Sequence, residues 1–426
     1  MIKNLIIKKL FLLLFFLLLL FFINYYYYIN YIDFRPEIIN QNGQLNLLSI
    51  DFGYGEATFN LVNNNELFYE SGLNKSKQYL ARMPLIPIFI KFVYVNISKK
   101  LFIIILIKNL FFFFSIIFLS HLIFKNYLHT IIIFFIITYN FHNITIITAL
   151  SPEEGFLGYL MILLFLSIFL KNNNKYLVIS IILSAVFFLK ASMVFLCYII
   201  SILIGYIGYK KKDKLYFFPA LIVFCSYLIW SIHGFIKTNQ FIKPFSLSSI
   251  SGQTINIAYN EYFNSIYPNQ SADILEGYIF DKFKKTHNNY KNYSEIEIDE
   301  AFTKDSINFI KNNPKEVSFS FLKKIYNIFF NLKFDGKNLE DENYNKIRYS
   351  NIPNKICLNL MIYIILYNFF KKKIFKTNDI IFFAIIISYL FPYMIGFVYS
   401  RQIVPIYILA HIYIYFYIIN KWKKSY

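Results

Sequence analysis

Residues that form disulfide frameworks and zinc sites are rare in this sequence. Only three of its 426 residues are cysteines and only six are histidines. Cys197, Cys225 and Cys357 all fall within long apolar runs, so they predict no disulfide framework. The histidines are scattered without ligand spacing, and the sequence has neither a Cys/His cluster nor a Walker-type glycine loop. We therefore expect neither a metal ion nor a cofactor.

Charged residues are also scarce, at 16% of the chain, whereas 57% of the residues are hydrophobic and the mean hydropathy is +0.47. Soluble domains rarely contain more than about half apolar residues. Because the apolar residues here form continuous blocks, we predict an all-α polytopic membrane protein. Its net charge of +19 arises from 43 basic and 24 acidic residues, and the positions of the lysines are more informative than their number. We expect membrane lipids, and no nucleic acid, among its partners.

The apolar blocks predict about ten transmembrane helices, since each approaches the ~20 residues that a membrane span requires. The first block, Leu5–Phe22, lacks a small-residue cleavage site, so we predict a signal anchor that is retained. The predicted spans are residues 5–28, 101–124, 130–148, 156–170, 176–189, 191–208, 215–233, 355–370, 380–398 and 403–420.

The distribution of lysines predicts how these spans are oriented. Loops such as "KKKDK" (210–214) and "KKKIFK" (371–376) are rich in lysine, whereas the alternate turns hold only Lys190, Arg401 and the acidic "SPEEG" (151–155). The positive-inside rule then places both termini in the cytoplasm. We expect the protein to lie in the inner membrane. We predict three regions: an N-terminal membrane module (1–233) with a first outer loop (30–100), an outer-face region (234–354) and C-terminal transmembrane helices (355–426).

Two segments outside the predicted spans are expected to form helices on the outer membrane surface. Residues 83–100 are apolar but contain Lys91, and a span there would break the charge pattern downstream. In residues 312–334, lysines accompany an apolar helical face, for which packing on the protein itself is an alternative. The predicted face consists of Phe321, Leu322, Ile325, Ile328, Phe329 and Leu332.

The first outer loop contains the candidate catalytic residues. In "SIDFGYGEATFNLV" (49–62), two carboxylates, Asp51 and Glu56, flank Tyr54. An enzyme that acts on a lipid-linked phosphate at this face needs a carboxylate to deprotonate an acceptor hydroxyl. We identify Asp51 and Glu56 as candidate catalytic residues and Tyr54 as a candidate substrate contact. An equally good alternative makes Asp51 the N-cap of a helix that begins near Tyr54.

Three cations on the outer side are candidate ligands for a phosphate: Arg82, Lys190 and Arg401. Arg401 is predicted in a short outer turn where the positive-inside rule disfavours a cation, so a bound phosphate is the favoured explanation. For Arg82, snorkelling to the water–lipid boundary is the alternative. Glu153 and Glu154, at the outer end of the fourth span, either contact the sugar or acceptor or stabilise the helix dipole.

Short motifs in several parts of the chain resemble one family. They are "D-x-x-Y-x-x-A-x-x-N-L" (51–61), "R-x-P-L-x-P" (82–87), "SPEE" (151–154), "NQFIKPFSLSSISGQTI" (239–255), "IKNNPKEVSFSFLKK" (310–324) and "SRQIVPIYIL" (400–409). In this order they resemble the polytopic GT-C glycosyltransferases. The similarity is to the bacterial branch that is grouped with protein O-mannosyltransferases and the lipid-A aminoarabinose transferase.

This resemblance implies a glycosyltransferase, of the hexosyl- or pentosyltransferase class, at the outer face of the cytoplasmic membrane. It implies a sugar donor linked to polyprenyl phosphate and an acceptor that is a lipid, a cell-envelope glycan or a protein. It also assigns Asp51 as the general base. From the conformational freedom of glycine, we expect Gly53 and Gly55 to let the backbone approach the sugar. The first loop has no Asp-x-Asp, which favours a reaction without a metal ion.

Two other classes of protein remain as alternatives. An O-antigen polymerase or ligase also uses lipid-linked sugars, but its site would lie in the large late region (234–354) rather than in the first loop. A flippase or transporter for lipid-linked oligosaccharides would bind its substrate near the bilayer midplane through charged or broken helices. The middles of the predicted spans contain almost no ionisable residues, which disfavours transport.

Overall fold

The computed structural model describes residues 17–26, 28–29, 32, 36–50, 53–70, 73–125, 128–133, 135–136, 152–170, 175–267, 272–331, 342–372, 377–396 and 400–422. Of residues 152–154, 273, 342–351, 371–372, 400–401 and 420–422 it describes the backbone only. Regular structure in these residues is helical apart from one small antiparallel sheet, which confirms the predicted all-α class. In that sheet, β1 (Tyr69–Glu70) pairs with β2 (Lys77–Gln78), and Tyr69 lies opposite Gln78.

The helices are α1 (Leu17–Tyr26), α2 (Tyr54–Asn63), α3 (Leu85–Asn96), α4 (Leu101–Phe124), α5 (Pro152–Ile168), α6 (Lys175–Leu189), α7 (Val194–Lys211), α8 (Phe218–Thr238), α9 (Ser251–Ala258), α10 (Phe263–Ile266), α11 (Leu275–Thr286), α12 (Glu295–Asn312), α13 (Pro314–Phe329), α14 (Glu342–Lys372), α15 (Thr377–Ile395) and α16 (Ser400–Trp422). Short 3₁₀ turns lie at Pro36–Ile38, Leu47–Ser49, Ala191–Met193, Lys214–Phe217, Ala272–Ile274 and Tyr290–Asn292.

Six helical segments among the described residues are long and apolar enough to span a bilayer, so the chain is a multi-pass membrane protein. They are Leu101–Phe124, Ala191–Lys211, Lys214–Thr238, Ile352–Phe370, Thr377–Ile395 and Gln402–Ile419. Each coincides with a predicted span. α1, α5 and α6 occupy three further predicted spans but are shorter. The remaining predicted span, residues 130–148, falls largely outside the described residues.

Helix α5 lies at the centre of the membrane bundle. Every side chain from Gly155 to Ile168 is buried, as expected for a helix that has no polar face. α5 packs against α4, α6 and α16, and α6 packs in turn against α8. Because α16 comes from the far end of the chain, this packing joins the N-terminal and C-terminal membrane helices into one core.

Residues 251–312, whose described part contains no helix long and apolar enough to span a bilayer, have a second hydrophobic core, and we call them the extramembrane region. Its members include Tyr259, Phe263, Phe283 and Phe302, all of them buried. Helix α9 packs along α12, whose start is fixed by a capping box. In this box the Ser294 hydroxyl accepts from the backbone of Glu297, and the Glu297 carboxylate accepts from the backbone of Ser294. The polar stretch of the predicted outer-face region is therefore a folded helical unit.

Helix α3 is one of the two segments predicted to lie on the membrane surface. It has only 12 residues and is too short to cross a bilayer alone. The Lys91 Nζ donates to the Leu61 carbonyl oxygen (2.9 Å) and to Asn65 Oδ1 (2.7 Å). The lysine that made this segment unsuitable as a span thus satisfies the C-terminal end of α2.

Asp299 joins α12 to the start of α9, and we expect it to make the stability of the extramembrane region dependent on pH. Its carboxylate accepts hydrogen bonds from the Gly252 backbone and from Ser246 Oγ. Burial raises the pKa of Asp299 from 3.8 to about 6, and the hydrogen bonds and nearby Lys243 only partly oppose this effect. Because the folded state then binds the proton more tightly than the unfolded state, folding becomes more favourable as the pH falls from 6 to 4.

We therefore expect the unfolding temperature of this region to rise between pH 6 and pH 4 relative to that of Asp299→Asn. Asparagine fills the same space and keeps an oxygen for Gly252 without titrating. The full difference corresponds to on the order of 3 kcal/mol. Circular dichroism of both chains in nanodiscs at each pH gives the comparison, in which contributions from other carboxylates cancel. Parallel curves for the two chains would show that Asp299 titrates normally.

Candidate functional site

The segment that carries Arg82 is held in place by the extramembrane region. The two carboxylate oxygens of Glu295 accept hydrogen bonds from the backbone nitrogens of Tyr79 and Leu80, each at 3.1 Å. The Ser248 hydroxyl donates to the carbonyl oxygen of Ala81 at 3.0 Å. Burial raises the pKa of Glu295, although these bonds favour its charged form. The three residues before Arg82 are therefore fixed by contacts from more than 160 positions away in sequence.

The Arg82 guanidinium lies beside two tyrosine rings. Its central carbon is 5.6 Å from the ring centre of Tyr54 and 5.9 Å from that of Tyr69, within the range of a cation–π contact. Its Nε is buried and has no hydrogen-bond partner among the described residues. The same part of the chain offers it no carboxylate at ion-pair distance. The side chain is thus positioned by its aromatic neighbours, and its positive charge lies beside the rings of Tyr54 and Tyr69.

Two glycines of the first loop pack closely, for different reasons. Gly53 has a φ of +70°, and an added Cβ would lie 2.8 Å from the Tyr69 ring and 3.2 Å from Arg82 Nε. Glycine is thus required there both by the backbone conformation and by the space beside Arg82. A Cβ on Gly55 would lie 2.3 Å from the carbonyl oxygen of Leu47. The expectation that Gly55 admits a sugar is therefore wrong, because protein backbone fills that space.

Glu56 and Glu276 also act electrostatically on Tyr69. Glu56 Oε1 accepts a hydrogen bond from the backbone nitrogen of Glu70 at 2.9 Å, which holds β1 against the start of α2. Burial raises the pKa of Tyr69, Arg82 opposes this rise, and the charges of Glu276 and Glu56 reinforce it. Arg82, Tyr69, Glu56 and Glu276 therefore form one electrostatic neighbourhood, in which Glu56 has a structural hydrogen bond.

Tyr54 and Lys190 connect the first loop to the ends of the membrane helices. The hydroxyl of Tyr54, a residue that is 1% exposed, donates to the Leu189 carbonyl oxygen at 3.4 Å. Next in the chain, the Lys190 Nζ lies 5.8 Å from the ring centre of Tyr393, near the end of α15. These contacts bring three of the predicted substrate-binding residues, Tyr54, Arg82 and Lys190, to the same end of the bundle.

The first turns of α5 and α16 lie at one end of the bundle as well. A Cβ on Gly158 would lie 3.9 Å from Pro405, and further along both helices the rings of Phe165 and Phe416 are 5.5 Å apart. The two helices therefore run parallel. A third contact, the 2.6 Å bond from the Tyr389 hydroxyl to the Gln402 carbonyl oxygen, ties the start of α16 to α15. This is the α15 end that carries Tyr393, so the end that bears the α5 and α16 first turns also bears Lys190.

Several predicted site residues are described only by their backbone or lie outside the described residues. Asp51 lies outside the described residues. Glu153 and Glu154 belong to the first turn of α5, and only their backbone is described. The same holds for Arg401, which was predicted in a turn but belongs to the first turn of α16. Their predicted contacts with substrate stay predictions.

The predicted start of α2 at Tyr54 is confirmed, but its predicted N-cap is not. The N-cap is Gly53, in a left-handed conformation and without a side-chain hydrogen bond to the helix. Asp51 precedes this glycine by two residues and is therefore not the N-cap. The alternative that made Asp51 the N-cap was therefore wrong, because a glycine in the left-handed conformation occupies that position.

Sequence reasoning missed four residues that build this site: Tyr69, Tyr393, Glu295 and Ser248. Tyrosine and phenylalanine are so frequent here, at 37 and 51 residues, that no single aromatic residue stands out. Glu295 and Ser248 support the segment before Arg82 from a distant part of the chain, and nothing in the sequence links them to it. The motif "FGYG" places a glycine directly beside an aromatic residue. We interpreted it only as a segment whose backbone can approach a sugar, and not as a sign of close packing between a glycine and an aromatic ring.

A separate cavity of about 830 Å³ lies between α12 and the segment 242–249. Among its lining residues are Lys243, Asp299, Lys304 and Lys311, whereas Tyr54, Arg82 and Lys190 do not line it. Lys243 is paired with Glu300 at 2.6 Å. The cavity thus carries both signs of charge, and it is distinct from the site around Arg82.

Among the residues that the structure describes, no group of three or more His, Cys, Asp or Glu side chains is arranged to hold a metal ion. Comparisons of the chain with protein-family models, with curated proteins and with solved structures found no match.

Proposed function

We propose that this protein transfers a sugar from a polyprenyl-phosphate-linked donor to an acceptor at the outer face of the cytoplasmic membrane. The observation that carries this proposal is the guanidinium of Arg82, whose buried Nε lacks a hydrogen-bond partner among the described residues. A buried donor without a partner costs about 1–3 kcal/mol. A bound anion that accepts from this nitrogen would recover that energy.

A lipid-linked phosphate is the anion that suits this position. Its tail dissolves in the bilayer and leaves the phosphate at headgroup level, where helices such as α6 and α15 end. A guanidinium offers paired N–H groups that match two phosphate oxygens. Lys190, beside Tyr393 at the end of α15, supplies a second cation. The rings of Tyr54 and Tyr69 provide the apolar walls that small-molecule sites generally have.

In the proposed reaction, Asp51 removes the proton from an acceptor hydroxyl, and the resulting oxygen attacks the anomeric carbon of the sugar. The bond from that carbon to the phosphate oxygen breaks, and polyprenyl phosphate leaves. Arg82 and Lys190 would stabilise the charge that develops on the leaving phosphate. Asp51 is two residues from Gly53, and two residues of extended chain reach about 7 Å at most. Glu153 and Glu154 are proposed to bind the sugar or acceptor.

The proposal includes the predicted topology of ten spans, with both termini in the cytoplasm and the extramembrane region outside. We expect a cysteine in place of the exposed Lys285, on α11, to react with a membrane-impermeant maleimide in intact cells. A cysteine in place of the exposed Lys210, at the end of α7, should react only after permeabilisation. Both are placed in a chain whose own three cysteines are replaced by alanine. Labelling of Lys210→Cys in intact cells would show that the chain has the opposite orientation in the membrane.

The function is tested with the purified full chain in lipid nanodiscs and radiolabelled polyprenyl phosphate as the probe. We expect saturable binding that unlabelled polyprenyl phosphate competes and that polyprenol, which lacks only the phosphate, does not. A panel of polyprenyl-phosphate sugars is then assayed for transfer of labelled sugar to acceptors in envelope extracts. Equal competition by polyprenol would contradict the phosphate site. Movement of the intact lipid across vesicles without sugar transfer would support the flippase instead.

A further inference from the structure

Helix α13 exposes a continuous apolar surface. Four residues follow one another at spacings of three and four positions, which places them on one face of the helix. They are Phe319, Leu322, Tyr326 and, at the C-terminal boundary of α13, Phe330. Each of these side chains is between 55% and 63% exposed. We call these four residues the aromatic stripe. This stripe differs from the predicted apolar face, of which Ile328 is fully buried.

Another face of α13 is polar and buried. Ser320, Lys324 and Asn327 are each at most 3% exposed. The Lys324 Nζ lies 4.3 Å from the ring centre of Tyr259, and Asn327 Nδ2 donates to the Tyr267 hydroxyl at 2.7 Å. A helix on the surface of a soluble domain shows the reverse arrangement, with its apolar stripe against the core. The burial of polar groups on α13 indicates that its apolar face meets something other than water.

Hydrogen bonds fix the depth of α13 relative to the membrane helices. The Lys324 Nζ donates to the carbonyl oxygen of Ile395, the last residue of α15, at 3.1 Å. From the beginning of the span Ile352–Phe370, Lys355 Nζ donates to the carbonyl oxygens of Asn327 and Ile328 at 2.8 and 2.6 Å. α13 is thus bonded to the ends of two spans, at the level where the hydrocarbon of a bilayer stops.

We propose that the aromatic stripe of α13 inserts into the leaflet at which these two spans end. Ile356, which follows Lys355 and is 60% exposed, continues the apolar surface onto the flank of the span. The Lys323 Nζ lies 4.8 Å from the ring centre of Phe319 and donates to the carbonyl oxygen of Asn264 at 2.6 Å. It is thus held as a cation at the edge of the stripe, as is common for interfacial helices. Aromatic residues are enriched at this depth of membrane proteins. The inference does not rest on the proposed enzymatic function.

The test measures the depth of spin labels in the full chain. Leu322→Cys or Tyr326→Cys is introduced after replacement of Cys197, Cys225 and Cys357, and the labelled chain is placed in lipid nanodiscs. We expect oxygen, which concentrates in hydrocarbon, to relax these labels far more than a water-soluble nickel chelate does. The two accessibilities together should place the labels about 5–10 Å below the lipid phosphates.

Ile307→Cys is the matched control, because Ile307 is an exposed apolar residue on the neighbouring helix α12. Its label should be relaxed mainly by the nickel chelate. Nickel relaxation at Leu322 equal to that at Ile307 would overturn the proposal. Low accessibility to both reagents, together with spin–spin broadening between two chains, would overturn it in favour of a second copy. Phe319→Trp, in a chain that keeps its cysteines but whose native Trp230 and Trp422 are replaced by phenylalanine, gives a second measurement of the same depth by quenching with brominated lipids.

Discussion

Replacement of Asp51 by asparagine is expected to lower the rate of sugar transfer by about 10²–10⁴-fold, the contribution usual for a general base. Asparagine has nearly the same shape but cannot accept the proton of the acceptor hydroxyl. The affinity for polyprenyl phosphate should change little, because the proposed base does not contact the phosphate. The measurement is a single-turnover assay of labelled sugar transfer, with binding of labelled polyprenyl phosphate measured in parallel.

The variant Glu56→Gln tests which of the two candidate carboxylates of the first loop, Asp51 or Glu56, is the base. Glu56 Oε1 accepts from the backbone of Glu70, and the amide oxygen of glutamine can accept the same bond. The fold around α2 should therefore survive this change. If Asp51 is the base, Glu56→Gln retains most of the transfer rate. A large loss in Glu56→Gln with normal rates in Asp51→Asn would exchange the two roles.

The membrane helices were predictable because the bilayer itself imposes their length and composition. Residues 101–124 were predicted as a span and form α4 with the same bounds. The prediction depends on local composition alone and needs no knowledge of tertiary contacts. Lys91 is a second case in which local composition alone was informative. A charge in an apolar segment argued against a span, and the structure shows that this charge bonds to the end of α2.

The arrangement of the site was not predictable, because it depends on contacts between distant segments. Arg82 and Lys190 appeared as separate cations in the sequence. Their common location follows from Tyr54, which touches the Arg82 guanidinium with its ring and bonds to Leu189 with its hydroxyl. The sequence distance across this connection is 135 residues. Neither residue type nor spacing indicates such a contact.

The prediction of which face of α13 is buried was wrong for a related reason. An apolar face was predicted from periodicity, but periodicity cannot show which face the protein covers. Lys324 was one of the lysines predicted to accompany that face, whereas Lys324 and Asn327 are both buried, and Lys324 bonds to the end of α15. In a bilayer the usual assumption that polar residues face outward does not hold, because the surroundings at that depth are apolar. The helix itself was predicted correctly, and its burial was not.

Replacement of Arg82 by alanine is expected to weaken the binding of polyprenyl phosphate by about 30-fold or more. Removing one partner of a buried, hydrogen-bonded charge pair costs roughly 2–5 kcal/mol, and each 1.4 kcal/mol is a factor of about ten in affinity. Arg82→Lys should show an intermediate loss, because lysine keeps the charge but not the fork of N–H groups. Equilibrium binding of radiolabelled polyprenyl phosphate in nanodiscs gives all three dissociation constants.

The control for this loss is Lys91→Ala, a change to another cation of the first loop. Lys91 bonds to the end of α2, so its loss should lower the unfolding temperature and leave the dissociation constant almost unchanged. The buried Nε of Arg82 has no hydrogen-bond partner among the described residues, so the loss of Arg82 should have the opposite pattern: weak binding and a nearly normal unfolding temperature. Arg401→Ala in the same assay measures the contribution of the first turn of α16. If Arg82→Ala binds the probe as well as the parent while Arg401→Ala does not, the phosphate lies at α16, and Arg82 serves to pack Tyr54 against Tyr69.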